Sequence, residues 1–540
     1  MSLAYRVLGV GVTLIVLAGC SGGGNHAAAL PPSGSPQSTA RVPVAFKVII
    51  PPKSTSTASA TRTPKYISPS TQSISIAVNA GAAVVQNITT GSPGCDTPTV
   101  ISPTTCTVTV NAPPGNDAFV ISTFDQQNAA GNMLSALSFS QTINPGVANI
   151  VNVSLGGIPV SLTVTPMPDS PYLVGSTTSG FTSYFTEAHH IAVLSYDADN
   201  NPIVGTGVPA LSVTGTSGLA ITAPVAGTSQ NVFTVQNAAF NTTEKLTVTA
   251  TPVSGTGTNP LTVNVPVSTK HIIVTVLDAA GATLHVYNDD TATPAQTVAV
   301  SGGATGFFTD NQGDAVVTFG TSVSVYTGNP LTATYTVSTN LTAARSGCSD
   351  HESNIYIANG TGPGGSSVIE YPTGGANTVT NTYSTSLNTP IACVVDVDDS
   401  LWVLNNGDST VTHFAAGGTG VSGTPISTGI AAADAFSLGI DRAGDLYVGF
   451  GTGTNAGVQV YPPGATTPAF TLATNAQSDF PSGNSVDIGG SLWVGNFTAG
   501  TVERFGAPIT STSPGVAVPY TGTGTNIKLD VTPKALPTTP

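Results

Sequence analysis

Three groups of polar side chains in this 540-residue chain have the residue types that catalysis or metal binding requires. Carboxylates and imidazoles can exchange protons near neutral pH, and both can ligate divalent cations. The groups are Glu187 with His189 and His190, Asp350 with His351 and Glu352, and Asp396 with Asp398 and Asp399. The first could ligate a metal, the second could act as acid and base, and the third could hold calcium.

A structural role explains each group better than chemistry does. The first group has the surroundings of a strand edge, Asp350 belongs to a repeat described below, and the third lacks the spacing of a calcium loop. A Gly-x-Ser-x-Gly nucleophile elbow is missing from the sequence, and the Gly/Thr runs at 451–454 and 522–525 lack phosphate-loop spacing. We therefore predict no catalytic or cofactor-binding residue; a bound calcium or magnesium ion is the alternative.

A repeat runs through residues 272–533. An Asp recurs at intervals of 40 to 46 residues, and an aromatic residue or Val follows it six positions later in five of the copies. A Val-x-x-Tyr or Val-x-x-Phe motif comes about a dozen residues after that. The recurring positions are Asp310, Asp350, Asp396, Asp441, Asp487 and Asp530, with Tyr356, Trp402, Tyr447 and Trp493 as the aromatic partners.

This period, with several short strands in each unit, is typical of the blades of a β-propeller. The segment Asp441-Arg-Ala-Gly-Asp-Leu-Tyr-Val resembles the NHL repeat, and the region is similar to NHL or gluconolactonase-like propellers. The resemblance implies that the Asp turn leaves the innermost strand and that the aromatic residue fills the space between blades. Five blades are complete; a sixth would combine residues 272–287 with an innermost strand near 526–531, which would leave no exposed edge.

The composition predicts an all-β protein. Sixty Gly and 40 Pro interrupt the chain too often for helical periodicity, and short Val/Thr/Ile/Tyr runs between turn residues are typical of strands. We predict immunoglobulin-like β-sandwiches at 42–156 and 157–270, followed by a six-bladed propeller at 271–540 that its terminal strands close. A net charge of −14 with only 13 Lys and Arg argues against a nucleic-acid partner.

Four cysteines besides Cys20 suggest disulfides in an exported chain. Cys95 and Cys106 are eleven residues apart and are the favoured pair, as a staple across a hairpin. Cys348 and Cys393 lie shortly before two of the repeat Asp residues, at equivalent places on neighbouring inner strands. All three pairings of the four cysteines remain open at this stage, because bridged α-carbons must lie within about 7 Å.

The N-terminus has the features of an export signal. Arg6 precedes an apolar run from Val7 to Leu17, which is shorter than the ~20 residues of a membrane span. The following Leu-Ala-Gly-Cys20 resembles a bacterial lipobox, which implies cleavage before Cys20 and its acylation. Residues 21–41 would form a flexible tether. Ser21 in place of Asp favours the outer membrane or cell surface in a diderm bacterium.

The leading functional hypothesis is a lipid-anchored envelope protein whose propeller binds a glycan, a cell-wall component or a protein. A divalent-metal-dependent propeller enzyme, similar to lactonases or lyases, is the second. Such enzymes place acids or His around the channel, and their metal sites use Glu; the propeller region has only three Glu, namely Glu352, Glu370 and Glu503, and the last two are in outer-strand registers. A purely structural envelope protein is the third hypothesis.

Overall fold

The computed structural model describes residues 41–52, 67–97, 102–224, 231–289, 291–360, 366–375, 377–452, 455–474 and 480–535. These residues form an all-β protein, in which the one helical element described is a 3-10 turn at Gln127–Ala129. None of the described helical structure has the length and apolar character needed to cross a bilayer. Cys20 and the predicted signal and tether lie outside the described residues.

Two facing sheets form the first structural unit. Alternating burial along the long strands places Phe46 of one sheet against Phe119 of the other, with ring centroids 5.4 Å apart. The sheets have the strand orders β4-β1-β7 and β3-β2-β5-β6-β8. The strands are β1 Val42–Ile50, β2 Ser73–Val78, β3 Val84–Asn87, β4 Thr104–Ala112, β5 Gly115–Phe124, β6 Met133–Ile143, β7 Asn149–Asn152 and β8 Gly156–Gly157.

The second unit has the same two-sheet plan. Its core contains Ile191 and Val193 from one sheet and Val248 and Val265 from the other, all of them fully buried. The strand orders are β14-β15-β12-β9 and β10-β11-β17-β16-β13. The strands are β9 Ser161–Pro166, β10 Leu173–Ser176, β11 Gly180–Tyr184, β12 His189–Tyr196, β13 Ala210–Gly215, β14 Leu219–Thr222, β15 Val232–Asn237, β16 Thr243–Thr251 and β17 Leu261–Lys270.

Six antiparallel sheets of four described strands each make up the rest of the chain, and we call them together the ring. Blade 1 has the order β20-β19-β18-β41, and blades 2 to 6 each use four consecutive strands. The strands of blades 1 to 3 are β18 Ile273–Asp278, β19 Thr283–Asn288, β20 Gln296–Ala299, β21 Gly306–Thr309, β22 Ala315–Thr318, β23 Val323–Thr327, β24 Thr332–Val337, β25 Ala344–Ser349, β26 Ile355–Asn359, β27 Ser367–Tyr371 and β28 Asn381–Tyr383, with β41 given below.

Blades 4 to 6 continue the same plan. Their strands are β29 Pro390–Val395, β30 Leu401–Asn405, β31 Thr410–Phe414, β32 Ile426–Ser427, β33 Ala435–Ile440, β34 Leu446–Thr452, β35 Asn455–Tyr461, β36 Phe470–Ala473, β37 Pro481–Val486, β38 Leu492–Asn496, β39 Thr501–Phe505, β40 Gly515–Val518 and β41 Ile527–Thr532. The first strand of each of blades 2 to 6, with β41 in blade 1, contacts the corresponding strand of the next blade. These six inner strands therefore surround a central channel.

The repeated Asp fixes the turn between the first and second strands of a blade. In blade 3, one carboxylate oxygen of Asp350 accepts bonds from the backbone N–H groups of Glu352 and Asn354, at 3.0 and 2.8 Å. Its other oxygen accepts a bond from the hydroxyl of Tyr356. Tyr447 OH and Trp493 Nε1 donate in the same way to Asp441 and Asp487, at 3.0 and 2.8 Å. Hydrogen bonds thus explain why the two positions recur together.

Asp396 and Asp530 depart from this pattern. Trp402 stacks on His413 with ring centroids 3.9 Å apart, and no hydrogen bond from its Nε1 is found within the described residues. Asp530 continues the interval of the repeat and lies inside β41, the strand predicted near 526–531, two residues before the strand ends. It therefore caps no turn, and its carboxylate lies beside Lys534 instead.

Strand β41 completes blade 1, as the sequence predicted. It pairs antiparallel with β18 along its whole length, from Ile527 opposite Asp278 to Thr532 opposite Ile273. Ile527, Leu529 and Val531 are at most 3% exposed. The innermost strand of the first blade therefore comes from the C-terminal end of the described chain.

Removing β41 tests this closure. A variant that ends at Thr525 should lose the burial of three large apolar side chains, about 1.5–3 kcal/mol each, and should leave β18 with an open edge. We expect the melting temperature of the ring to fall by on the order of 10 °C or more. A variant that ends at Ala535 keeps β41 and is the control; equal melting of the two variants in calorimetry would refute closure by β41.

Candidate functional site

A cavity of about 310 Å³ lies in the central channel, and residues from all six inner strands line it. We call the end at which the inner strands begin the mouth, and the opposite side, where the Asp turns lie, the turn face. This volume is at the lower end of the range for small-molecule sites. The cavity is therefore the candidate functional site.

Irregular pairing at the start of four consecutive inner strands directs side chains toward the mouth. Such bulges leave residues without a cross-strand partner and re-aim their side chains. Arg345 of blade 3 and Phe436 of blade 5 both lie in such irregular segments and both line the cavity. The register shifts lie between Ala344 and Gly347, Pro390 and Ala392, Ala435 and Ser437, and Pro481 and Gly483.

Lys528 and Arg345 bring two positive charges to the same part of the channel. Protein surrounds Lys528 on β41, and this burial, reinforced by the charge of Arg345, lowers its pKa to about 8. Among the described residues, neither side chain has a carboxylate within salt-bridge distance. Three cations and one carboxylate, Asp530, line the cavity of a chain whose net charge is −14. The mouth is thus a local positive site in an acidic protein.

Three aromatic rings form a second part of the mouth. The ring centroid of Phe480 lies 4.9 Å from that of Phe436 and 5.6 Å from that of Phe497. All three side chains are partly exposed and line the cavity. They come from blades 5 and 6, whereas the two cations come from blades 1 and 3, so Phe436 lies across the channel from the gap between the cations and Phe497 lies nearer blade 1.

Asn484 supplies an unpaired acceptor deeper in the cavity. Its amide nitrogen donates to the backbone carbonyl of Tyr447 at 3.0 Å, which fixes the orientation of the amide. Its Oδ1 is buried and has no hydrogen-bond partner among the described residues. A buried acceptor without a donor is costly, so Asn484 is suited to receive a donor group from a ligand.

The turn-face end of the cavity is bridged by charged groups. Lys534 lies 2.7 Å from the Asp530 carboxylate and donates to the Thr309 carbonyl at the same distance. Thr309 N in turn donates to Asp530 at 2.7 Å. Asp530 and Lys534 therefore neutralise each other while they join β41 to β21, and in the described ranges Arg345 and Lys528 have no counterion.

The second two-sheet unit docks on the turn face. The hydroxyl of Tyr172 donates to Asp487 at 3.0 Å and accepts a bond from Arg504 at 2.7 Å. The Arg504 guanidinium also lies 5.0 Å from the ring centre of Phe185. Burial raises the pKa values of Asp487 and Tyr172. This contact holds the second unit on the side opposite the mouth.

The predicted metal and acid–base groups do not converge. Buried His189 bonds to Ser183 Oγ at 2.8 Å, whereas His190 pairs with Asp169 at 2.8 Å, and Glu187 points elsewhere, near Arg504. His351 pairs with Asp399 at 2.7 Å, which joins two neighbouring turns. No three His, Cys, Asp or Glu side chains in the described ranges are close enough to hold a metal ion.

Other predicted residues have clear positions. Cys95 is bonded to Cys106 within the first unit, and Cys348 to Cys393 between the inner strands of blades 3 and 4, with α-carbons 5.4 Å apart. Glu370, on the third strand of its blade, accepts bonds from Asn381 and Tyr383. Glu503 is likewise buried on a third strand, where Asn496 donates to it.

The sequence analysis missed the residues at the mouth. Arg345, Phe436 and Lys528 each occupy the second position of an inner strand, so an alignment of the strand starts would have found them. They carry no shared residue type, and a search for repeated identities could not detect them. Their common position, rather than their chemistry, was the available signal.

No family model matches the chain, and no curated protein matches it. Solved structures with structural similarity include a protein of unknown function from Bacteroides caccae, with 12% identity, 48% of this chain and 99% of that chain covered, and a TM-score of 0.38. Streptogramin B lyase gives 12% identity, 46% and 78% coverage and a TM-score of 0.33. The WD40 repeats of RRP9 are 8% identical, with 48% of this chain and 86% of that chain covered and a TM-score of 0.35. At these values, the description of the ring rests on its own strand pairing.

The buried imidazole of His189 makes the second unit sensitive to acid. Burial, with a smaller contribution from His190, lowers its pKa from 6.5 to about 4. A lowered pKa gives stability that is present above pH 6.5 and is lost as the pH falls toward 4, by roughly 3 kcal/mol in total. We expect urea unfolding at pH 7 and pH 4.5 to show a smaller difference for His189→Gln than for the unaltered protein. His190→Gln, which removes a more exposed imidazole and the smaller contribution to the His189 pKa, should keep most of the difference; an equal effect of both substitutions would contradict the assignment.

Proposed function

We propose that this chain is a lipid-anchored cell-envelope protein, built from two immunoglobulin-like β-sandwiches and a six-bladed β-propeller, that binds a ligand at the propeller mouth. Catalysis is no part of the proposal. The single observation that supports it most strongly is the cavity, which is lined by three aromatic rings and by two cations that have no carboxylate partner in the described part of the chain. Charged and aromatic groups around a preformed cavity are features of recognition sites.

The order of the units supports a surface role for the mouth. The second sandwich contacts the turn face through Tyr172, Asp487 and Arg504, so the mouth points away from both sandwiches. The two sandwiches also contact each other, for example through Asn201 Nδ2, which donates to Ser68 Oγ at 3.1 Å. If Cys20 is acylated, the mouth is the part of the protein farthest from the membrane, where it is accessible to a glycan, cell-wall or protein ligand.

Anchoring through Cys20 has a direct test. Cys20→Ser removes the thiol that would carry the diacylglycerol, and multiple acyl chains are needed for stable membrane attachment. We expect the unaltered protein in the membrane fraction of a bacterial host and the variant in the soluble or precursor fraction. The same distribution for both proteins would reject a lipid anchor and leave ligand binding at the mouth as a separate question.

Binding at the mouth is tested by filling it. Ile391 lies in the irregular segment of β29 and lines the cavity, so Ile391→Trp should obstruct it. Val516→Trp adds the same side chain on β40, where Val516 is 61% exposed, and is the matched control. Calorimetric titration with small organic acids, neutral and acidic oligosaccharides and peptides should find a ligand that Ile391→Trp rejects and Val516→Trp keeps. The proposal would be contradicted if no compound of the panel binds, or if the compounds that bind do so equally well to Ile391→Trp and to the unaltered protein.

A further inference from the structure

We propose that the mouth recognises a hydroxylated ring that bears a carboxylate, such as a hexuronic acid unit, either free or within an acidic polysaccharide. This inference rests on the proposed binding function and specifies its ligand. In this arrangement, Arg345 and Lys528 bind the carboxylate, Asn484 Oδ1 accepts a ring hydroxyl, and the Phe436, Phe480 and Phe497 rings contact the apolar face of the sugar.

The charge of the mouth requires an anion. Arg345 and Lys528 come from blades 3 and 1, on either side of blade 2, and both line the cavity. The third cation, Lys534, is already paired with Asp530, so the remaining charges are available to a ligand. A negative group between them would recover the desolvation cost of Lys528 by supplying the counterion that the described chain lacks.

The acceptor at Asn484 requires a donor on the same ligand. Asn484 is 7% exposed, so the unpaired Oδ1 cannot be satisfied by bulk water as a surface amide would be. Ser482 and Lys528 each occupy the second position of their inner strand, so they lie at the same depth in the channel. Asn484 comes two residues after Ser482, which places it about 7 Å deeper than Lys528 along the strand direction. A six-membered ring with a carboxylate on one side and a hydroxyl on the other can contact Lys528 and Asn484 at the same time. A simple carboxylate or inorganic phosphate would leave the amide oxygen unpaired.

The aromatic wall selects for a flat or apolar ring face. Phe436 belongs to blade 5, opposite blade 2 and therefore opposite the gap between the two cations. Phe480 and Phe497 extend the same surface at the mouth. A ring bound between the walls would bury one face on the phenyl groups while its carboxylate reaches the cations. The volume of about 310 Å³ suits one such unit inside the cavity, with the rest of a polymer outside.

Titration calorimetry with glucuronate, a uronic-acid oligosaccharide, cyclohexanecarboxylate and glucose separates these contributions. We expect both uronic-acid probes to bind and glucose to bind at least tenfold more weakly. Arg345→Gln and Lys528→Gln should each weaken glucuronate about tenfold or more, whereas Arg442→Gln, which removes an exposed cation on the turn face, should have no effect. Asn484→Ala should weaken glucuronate but leave cyclohexanecarboxylate unchanged, because that acid has no hydroxyl to donate.

The pH dependence supplies a second readout. With the pKa of Lys528 at about 8, glucuronate affinity should be full below pH 8 and should fall as the pH rises toward 9.5, and Lys528→Gln should abolish the fall. The other charged groups that line the cavity are Arg345, Asp530 and Lys534.

Three outcomes overturn the inference: no binding of either uronic-acid probe, equal binding of glucose, or binding that survives both cation substitutions. If another ligand still binds and Ile391→Trp rejects it, the proposed binding function stands and only the assignment of a sugar acid fails. Preference for the oligosaccharide over free glucuronate would identify a polysaccharide as the source, and the reverse result would identify the free acid.

Discussion

The pairing of β41 with β18 is the constraint on which the ring depends. Within a blade, antiparallel ladders satisfy the backbone, but neighbouring inner strands share no ladder and need other links. Side chains provide them: hydroxyls donate to carbonyls of a neighbouring blade, the Thr309 backbone N–H donates to the Asp530 carboxylate, and one disulfide joins blades 3 and 4. The hydroxyl donors and their carbonyl acceptors are Thr305 and Ala344, Ser346 and Phe307, Ser437 and Pro481, and Ser482 and Ile527, and the disulfide joins Cys348 and Cys393. Without β41, Ser482 of blade 6 and Thr309 of blade 2 would lose their hydrogen-bond partners Ile527 and Asp530.

Closure and recognition use the same strand. In β41, Lys528 and Asp530 alternate with Ile527, Leu529 and Val531, so the polar and apolar side chains occupy opposite faces, and the apolar face packs with residues of blade 1 and blade 6 such as Trp493. Asp530 joins the ring at the turn face with Lys534, while Lys528 lies nearer the mouth and has no counterion among the described residues. The desolvation of Lys528 is a cost that packing of the apolar face of β41 must offset. Such uncompensated polarity is common where a protein gives up stability for function.

The sequence contained enough information for the frame of the fold. Asp350, Asp441 and Asp487 recur with their aromatic partners because each pair shares a hydrogen bond, and a local bond leaves a local pattern. An Asn nine residues after the Asp in three copies, at Asn359, Asn405 and Asn496, was an additional signal that went unused. The mouth was missed because Arg345, Phe436 and Lys528 share a strand position but no residue type, and come together only across the channel. Asp530 continues the interval of the repeat but lies within β41 and caps no turn, so the interval alone does not identify the role of the residue.

Hydrogen–deuterium exchange of the intact protein tests the central claim, that the C-terminal strand is the innermost strand of the first blade. The amides of Ile527–Thr532 pair with β18, so they should exchange as slowly as those of β25 and β37, which are inner strands of other blades. Protection should extend to β18 and should appear and disappear together with that of β41 as denaturant is added. Fast exchange at 527–532, with the other inner strands still protected, would contradict the account of both the ring and its cationic mouth.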